Sequence, residues 1–346
     1  MVISLAACEP TPDVRASLPV ESAATPLPSR LSATGLYAPG STAAVRASHH
    51  AFAPQYPLWT DGADKQRWLY LPEGTAIDGS APDAWRFPPG TRLWKEFSFG
   101  GRRVETRFME ALDDGTWRYA TYLWQGDGRD ALLAPAAGAV VATQAGTHAV
   151  PAEADCRACH EGRTSPVLGF TALQLSPDRD PGALHAGPPR RGDVDLATLV
   201  ERGLLRGLPP DLLATPPRID APSPTARAAL GYLHGNCGGC HNAEGPLAPL
   251  GLVLAQSAIP GRGDAVLASA LGRPSRFRAA TRPDARLRVA PGHADASVLA
   301  LRLGSRDPAL QMPPIGSLRS DDEARALIGR WIDQDLAPNQ KEKTEP

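Results

Sequence analysis

Two stretches of this chain repeat one arrangement: Cys156-Arg157-Ala158-Cys159-His160 and Cys237-Gly238-Gly239-Cys240-His241. Each sets two thiols three positions apart and an imidazole directly after. This is the attachment pattern of a c-type haem. The thiols add across the two vinyl groups, and the short turn aims the histidine at the iron. A chain that encloses two such groups has much of its core supplied by the cofactor. It can therefore be rich in loops and short elements, and 36 prolines and 33 glycines among 346 residues agree with that.

Other thiol chemistries fit less well. A zinc knuckle would gather both pairs at one tetrahedral site, but the pairs stand about 80 residues apart, beyond the usual spacings. A dithiol redox pair needs no following histidine. Histidine is only 8 of 346 residues. The sequence thus implies two covalently attached haem c groups. Cys156, Cys159, Cys237 and Cys240 hold them, with His160 and His241 as proximal ligands. The fifth cysteine, Cys8, leaves no pair for a disulfide framework.

Such haems are attached outside the bacterial cytoplasm, so the motifs imply export. Leu5-Ala6-Ala7-Cys8 looks like a lipobox, preceded by a stretch too short for a signal peptide. Residues 1–30 then read as a lipobox remnant and a flexible Pro/Ser/Ala/Thr-rich tether. The expectation is a periplasmic lipoprotein anchored through Cys8. No apolar run reaches 18 residues, so no transmembrane segment is expected. A net charge of −1 gives no reason to expect nucleic acid.

Residues 31–150 read as a β-rich domain. Trp68-Leu69-Tyr70-Leu71, Thr91 to Phe99, Arg103 to Phe108 and Trp117 to Trp124 have strand character. Gly100-Gly101 and Asp113-Asp114-Gly115 are hairpin signals between the last three. A small sandwich or barrel is the natural solution. Six of the seven tryptophans fall here, mostly as core. Tyr56 to Gly62 is an aromatic loop that either packs on the first haem domain or lines a small-molecule pocket.

Residues 151–221 form the first haem domain, with a helix expected from Asp193 to Arg206 capped by Asp193 or Asp195. No methionine lies between residues 160 and 240. The distal ligand of the first haem is therefore open among His185, Met109, His148 and none. Residues 222–338 form the second haem domain. Ser223-Pro224 starts a helix that delivers Cys237, and Ser320-Asp321-Asp322-Glu323 is a capping box for a C-terminal helix carrying Trp331. Tyr232 or Leu233 should pack on Trp331. Met312, followed by Pro313-Pro314, is the expected distal ligand of the second haem. Residues 339–346 read as a disordered tail. The expected fold class is α+β and multidomain: a β-rich domain, then two mainly α cytochrome c-like domains, the first degenerate.

Tyr56-Pro57-Leu58-Trp59-Thr60-Asp61-Gly62, Trp94 to Phe99, Glu105-Thr106-Arg107, Val150-Pro151 and Tyr232-Leu233-His234-Gly235-Asn236-Cys237 together resemble the bacterial dihaem c-type cytochromes with an N-terminal β-rich region. The resemblance spans most of residues 35–336. It implies haem binding and single-electron transfer between periplasmic or membrane-associated redox proteins. The alternative is a haem oxidoreductase, peroxidase-like or the haem subunit of a dehydrogenase, with an open first haem. The missing methionine and the extra β-rich region motivate it. An electron carrier is the leading reading; whether the chain is also an enzyme is left open.

Overall fold

The structure, a computed structural model, describes residues 26–261 and 265–338. The lipobox at Cys8, nearly all of the tether and the tail at 339–346 lie outside the described residues.

The strands are β1 (His50–Ala51), β2 (Asp64–Tyr70), β3 (Ile77–Asp78), β4 (Arg92–Phe99), β5 (Arg102–Ala111), β6 (Trp117–Trp124), β7 (Ala131–Leu133), β8 (Ala139–Thr143), β9 (Gly146–Val150) and β10 (Leu205–Arg206). Six of them make one antiparallel sheet in the order β1-β2-β4-β5-β6-β7. The β4–β5 turn is the Gly100-Gly101 pair, both at positive φ (54° and 77°), as a tight hairpin requires.

Strand alternation divides the sheet into two faces. Trp68, Trp94, Phe108, Ala120, Tyr122 and Trp124 point outward and bury against Leu31, Leu36 and Tyr37. Leu69, Leu93, Met109 and Tyr119 point inward and share one core with Phe170, Leu173, Leu230, Leu233 and Trp331. The sheet is thus closed by loops on one side and by the C-terminal half on the other. The expected sandwich or barrel is replaced by a single open sheet, accompanied by two small pairs, β3–β10 and β8–β9.

The helices are α1 (Glu153–His160), α2 (Leu196–Glu201), α3 (Asp211–Ala214), α4 (Pro224–Asn236), α5 (Ala265–Ala270), α6 (Val298–Gly304) and α7 (Asp322–Arg330). This corrects the expected α+β multidomain class with two mainly α cytochrome c-like domains. Among the described residues the largest regular unit is the six-stranded antiparallel sheet, and the helices are few and short, the longer ones being α4 and α7, the latter continued by a π-helical turn over Trp331–Asp335. The physical reason shows at residues 196–206. Asp195 caps α2 by accepting from Thr198 N at 2.8 Å, but Gly203 (φ 68°) turns the chain out of the helix. Leu205 then pairs with Ile77, and both are buried. Burial in a β pair overrides the helical periodicity there.

The second half keeps the expected helix ends. Ser223 Oγ accepts from Ala226 N at 2.9 Å, with Pro224 in the first turn. Asp321 caps α7, one residue later than the expected Ser320. Tyr232, Leu233 and Trp331 lie in the same buried cluster. Among the described residues, no helix is long and apolar enough to cross a membrane.

Candidate functional site

The first motif occupies α1. Asp155 Oδ2 accepts from Ala152 N at 2.9 Å, and Arg157 pairs with Glu153 and Glu161 one turn away on either side. His160 Nδ1 donates to Pro166 O at 2.7 Å, which fixes the ring and leaves Nε2 unengaged. Burial pushes His160 down to about 4, so the imidazole is neutral at pH 7, as a metal ligand must be. Its ring lies 5.4 Å from that of Tyr119 on the inner sheet face.

The second motif follows α4. Cys237 N donates to Leu233 O at 2.9 Å, and Cys240 N and His241 N both return to Cys237 O. Gly238 is required there: a Cβ would stand 2.7 Å from His234 O. His241 Nδ1 is buried with no partner, and burial, then Arg302 and Arg288, lowers its pKa. Arg302 also organises Met312: its carbonyl accepts from Met312 N at 3.0 Å, and its Nε donates to Leu310 O at 2.8 Å. His241 thus feels the charge of the arginine whose carbonyl holds the backbone of half-buried Met312.

The two motifs meet. Cys159 and Cys240 lie close enough to shift each other's thiol, Cys159 raised and Cys240 lowered. Asn242, directly after the second motif, is buried and donates Nδ2 to Gly162 O (3.1 Å) and Gly239 O (3.0 Å). Its Oδ1 accepts from Glu244 N (2.9 Å) and Gly245 N (2.8 Å). The backbones touch closely enough that a Cβ on Gly245 would stand 2.1 Å from Gly162 O. Thr164 Oγ1 donates to Glu244 Oε2 at 2.5 Å. Only the second cysteines come together: among the described residues no three His, Cys, Asp or Glu side chains converge as a metal site.

The inner sheet face beside α1 carries four cations. Lys65 and Arg67 alternate on β2, Lys95 lies across from Arg67 on β4, and Arg107 lies across from Lys95 on β5. Arg107 is paired with Glu105 at 2.6 Å. Lys65 donates to Ala63 O at 3.0 Å. Among the described residues, Lys65, Arg67 and Lys95 have no carboxylate at ion-pair distance. Burial drives Lys65 down to about 7 and Arg67 to about 10, and pulls Lys95 well below its usual value; Arg67 and Arg107 add to the effect on both lysines. Yet all three keep half-exposed side chains. They therefore line an interior space rather than sit in packed core. A cavity of about 410 Å³ adjoins Lys65, Arg67, Trp59 and His185. Phe97 receives Lys95 at 4.9 Å and Arg107 at 4.3 Å from its ring centroid. Such contacts give about 0.5–2 kcal/mol each, against several kcal/mol to desolvate one charge. The row is left electrostatically unbalanced.

The remaining sequence candidates fall elsewhere. His185 Nε2 donates to Asp321 Oδ2 at 2.8 Å, at the N-terminus of α7. His148 Nε2 donates to Glu105 Oε1 at 3.1 Å in full burial. Met109 packs between Leu93 and Tyr119 in the sheet core. The Tyr56–Gly62 loop packs on the first haem domain, where Tyr56 N donates to Gln174 Oε1 at 3.0 Å and Tyr56 OH to Asp180 Oδ2 at 3.2 Å, and it also packs on the second motif's helix. Asn236 accepts from Trp59 N at 2.7 Å, and Tyr56 lies against Gly231 and Gly235. Sequence reasoning missed Asn242 and the cation row. The row was visible in principle as alternate-position cations on neighbouring strands.

These residues fit two haem c groups in part. The four thiols are free and half-buried, and His160 is neutral with Nδ1 anchored and Nε2 left for a ligand bond. The buried hydroxyls of Tyr119 and Thr121, beside the first motif on the inner face, have no partner. Comparisons with protein-family models, curated proteins and solved structures return no match for this chain.

Proposed function

We propose that the chain is an exported dihaem c-type cytochrome, anchored through Cys8, that passes single electrons between periplasmic or membrane-associated redox proteins. The observation that carries this reading is the contact between the two CxxCH turns through Asn242 and the close backbones of Gly162 and Gly245. The resemblance to the dihaem cytochromes points the same way. Haem c supplies one-electron chemistry when bound. The chain's own contribution is to hold the two attachment turns side by side, keep His160 neutral and oriented, and present Met312 and His241 around Arg302.

One observation favours a second reading, an open first haem in an oxidoreductase. His185 and His148, both considered for its distal side, each hold a carboxylate instead. The spectrum of the reduced protein with and without carbon monoxide separates the two. An unchanged c-type spectrum supports the carrier, and a shift in about half the haem absorbance supports the open site. Met312→Ala should keep both haems attached, lower one midpoint potential and open that haem to carbon monoxide, because thioether ligation favours ferrous iron. An unchanged redox titration would remove Met312 from the ligand set.

A further inference from the structure

We propose that the inner-face row of Lys65, Arg67, Lys95 and Arg107 is the carboxylate-binding site for the propionates of the haem carried by Cys156 and Cys159. The proposal rests on the dihaem reading and gives the β-rich region a purpose: it is one wall of the first haem's cleft.

Three observations converge. The row lies on the sheet face that meets the first motif: the ring of Tyr119 on that face is 5.4 Å from that of His160, and Arg107 lies across from Thr121, two residues further along the strand from Tyr119. Its basic groups outnumber the carboxylates close to them. Glu105 answers Arg107, while Asp61 and Asp64 act on Lys65, and Asp193 on Arg67, only at longer range. Finally, two hydroxyls on the same face are buried and unpaired: Tyr119 (4 % exposed) and Thr121 (6 % exposed). Thr121 lies directly across from Arg107, and Tyr119 from Met109. Cations without counter-ions and hydroxyls without partners on one wall describe a site for an anionic, oxygen-rich group. Arginine and lysine so placed make charge-assisted hydrogen bonds to carboxylates. The arginines earlier in the C-terminal half fit this role less well: Arg273 and Arg278 are turned to backbone carbonyls, and Arg282 to Asp284.

The test uses the full-length holoprotein carrying Arg67→Gln with Lys95→Gln, and, separately, the charge-preserving pair Arg67→Lys with Lys95→Arg. Haem per chain is measured from the reduced spectrum of the denatured protein, and both midpoint potentials by spectroelectrochemistry. The neutral pair should keep two haems per chain. One of its potentials should fall by at least a tenfold shift of the ferrous–ferric equilibrium, about 59 mV for one electron, because lost positive charge favours ferric iron. The charge-preserving pair should stay within a third of that shift. Two attached haems with both potentials unchanged in the neutral pair would overturn the propionate assignment while leaving the dihaem reading intact. Wild-type protein without two covalent haems would remove the dihaem reading itself, and the assignment with it. Citrate added to wild-type holoprotein should leave both potentials unmoved. A saturable shift would mean the row takes a soluble carboxylate instead, and would also overturn the assignment.

Discussion

Replacing Asn242 with alanine should loosen the contact between the two motif turns, and its cost can be worked from the bonds it makes. Nδ2 has two hydrogens for three nearby carbonyls, those of Gly162, Gly238 and Gly239 at 3.0–3.3 Å. Oδ1 accepts two backbone N–H groups at 2.8–2.9 Å. That makes four effective hydrogen bonds at a buried position. At roughly 0.5–1.5 kcal/mol net for each, the loss is about 2–6 kcal/mol. For a chain of this size each kcal/mol moves the melting midpoint by about 1.4 °C. Asn242→Ala should therefore melt about 3–8 °C below wild type, and the haem content of the proposed holoprotein should be unchanged, since every cysteine and proposed ligand remains. Thr164→Ala, which removes an exposed bond across the same junction, should cost under about 0.5 kcal/mol. Differential scanning calorimetry of the three proteins decides. An Asn242→Ala midpoint within 1 °C of wild type, or equal losses in both variants, would refute the clasp.

Two further tests address how the sheet region is tied to the rest. Gly235→Ala puts a Cβ 2.3 Å from Tyr56 O, a backbone atom that cannot swing away, so about 1–3 kcal/mol of stability should be lost in urea titrations, and Gly235→Ala as stable as wild type would show that the contact is not made. His148 is raised above its usual value: burial opposes this, but Asp61 and Glu105 outweigh it. A raised histidine contributes stability that is complete below its unfolded value and lost as pH rises through the folded one. Wild type should thus lose stability above about pH 6.5, and His148→Gln should show a shallower decline between pH 6 and 9 by urea midpoint. Asp61 and Glu105 are held low, since His148 and, for Glu105, Arg107 outweigh burial; their contribution has the opposite sign and is lost in acid.

What was legible in the sequence were the features fixed by local chemistry. The paired thiol–thiol–imidazole turns, the Gly100-Gly101 hairpin, the alternation in β4 to β6 and the Ser223-Pro224 start are each set within a few residues. The misjudged features were set by distant partners. Residues 204–206 left their helix because Ile77 offers a buried pairing partner far away in the chain. The open sheet could not be distinguished from a sandwich, because its second cover is a set of loops and α4 rather than strands with a period of their own. The meeting of Cys159 with Cys240 was hidden for the same reason: nothing within either motif records that Asn242 bridges to Gly162. His185 read as a loop histidine; its bond to Asp321, 136 residues away, leaves no trace in the sequence around it.

The two motif helices differ in what holds them, and this makes a last prediction. α4 buries most of its length, from Ala226 through His234, and needs nothing further to stay folded. α1 buries no residue fully, with Cys156, Cys159 and His160 half-buried. Eight residues are too few for an isolated helix in water. Its own supports are one capping carboxylate and two exposed i,i+4 pairs, each worth about 0.3–0.5 kcal/mol. Three of its eight residues, Cys156, Cys159 and His160, are those a haem would fix covalently or by ligation. In the proposed holoprotein α1 is therefore stable because of what it carries. Hydrogen exchange on holoprotein and on a Cys156→Ala/Cys159→Ala variant should differ mainly over residues 153–166, which should exchange far faster in the variant, while residues 226–236 remain protected in both. Equal protection of 153–166 would mean that α1 is held by the sheet wall alone, and that attachment at the first motif contributes nothing to its folding.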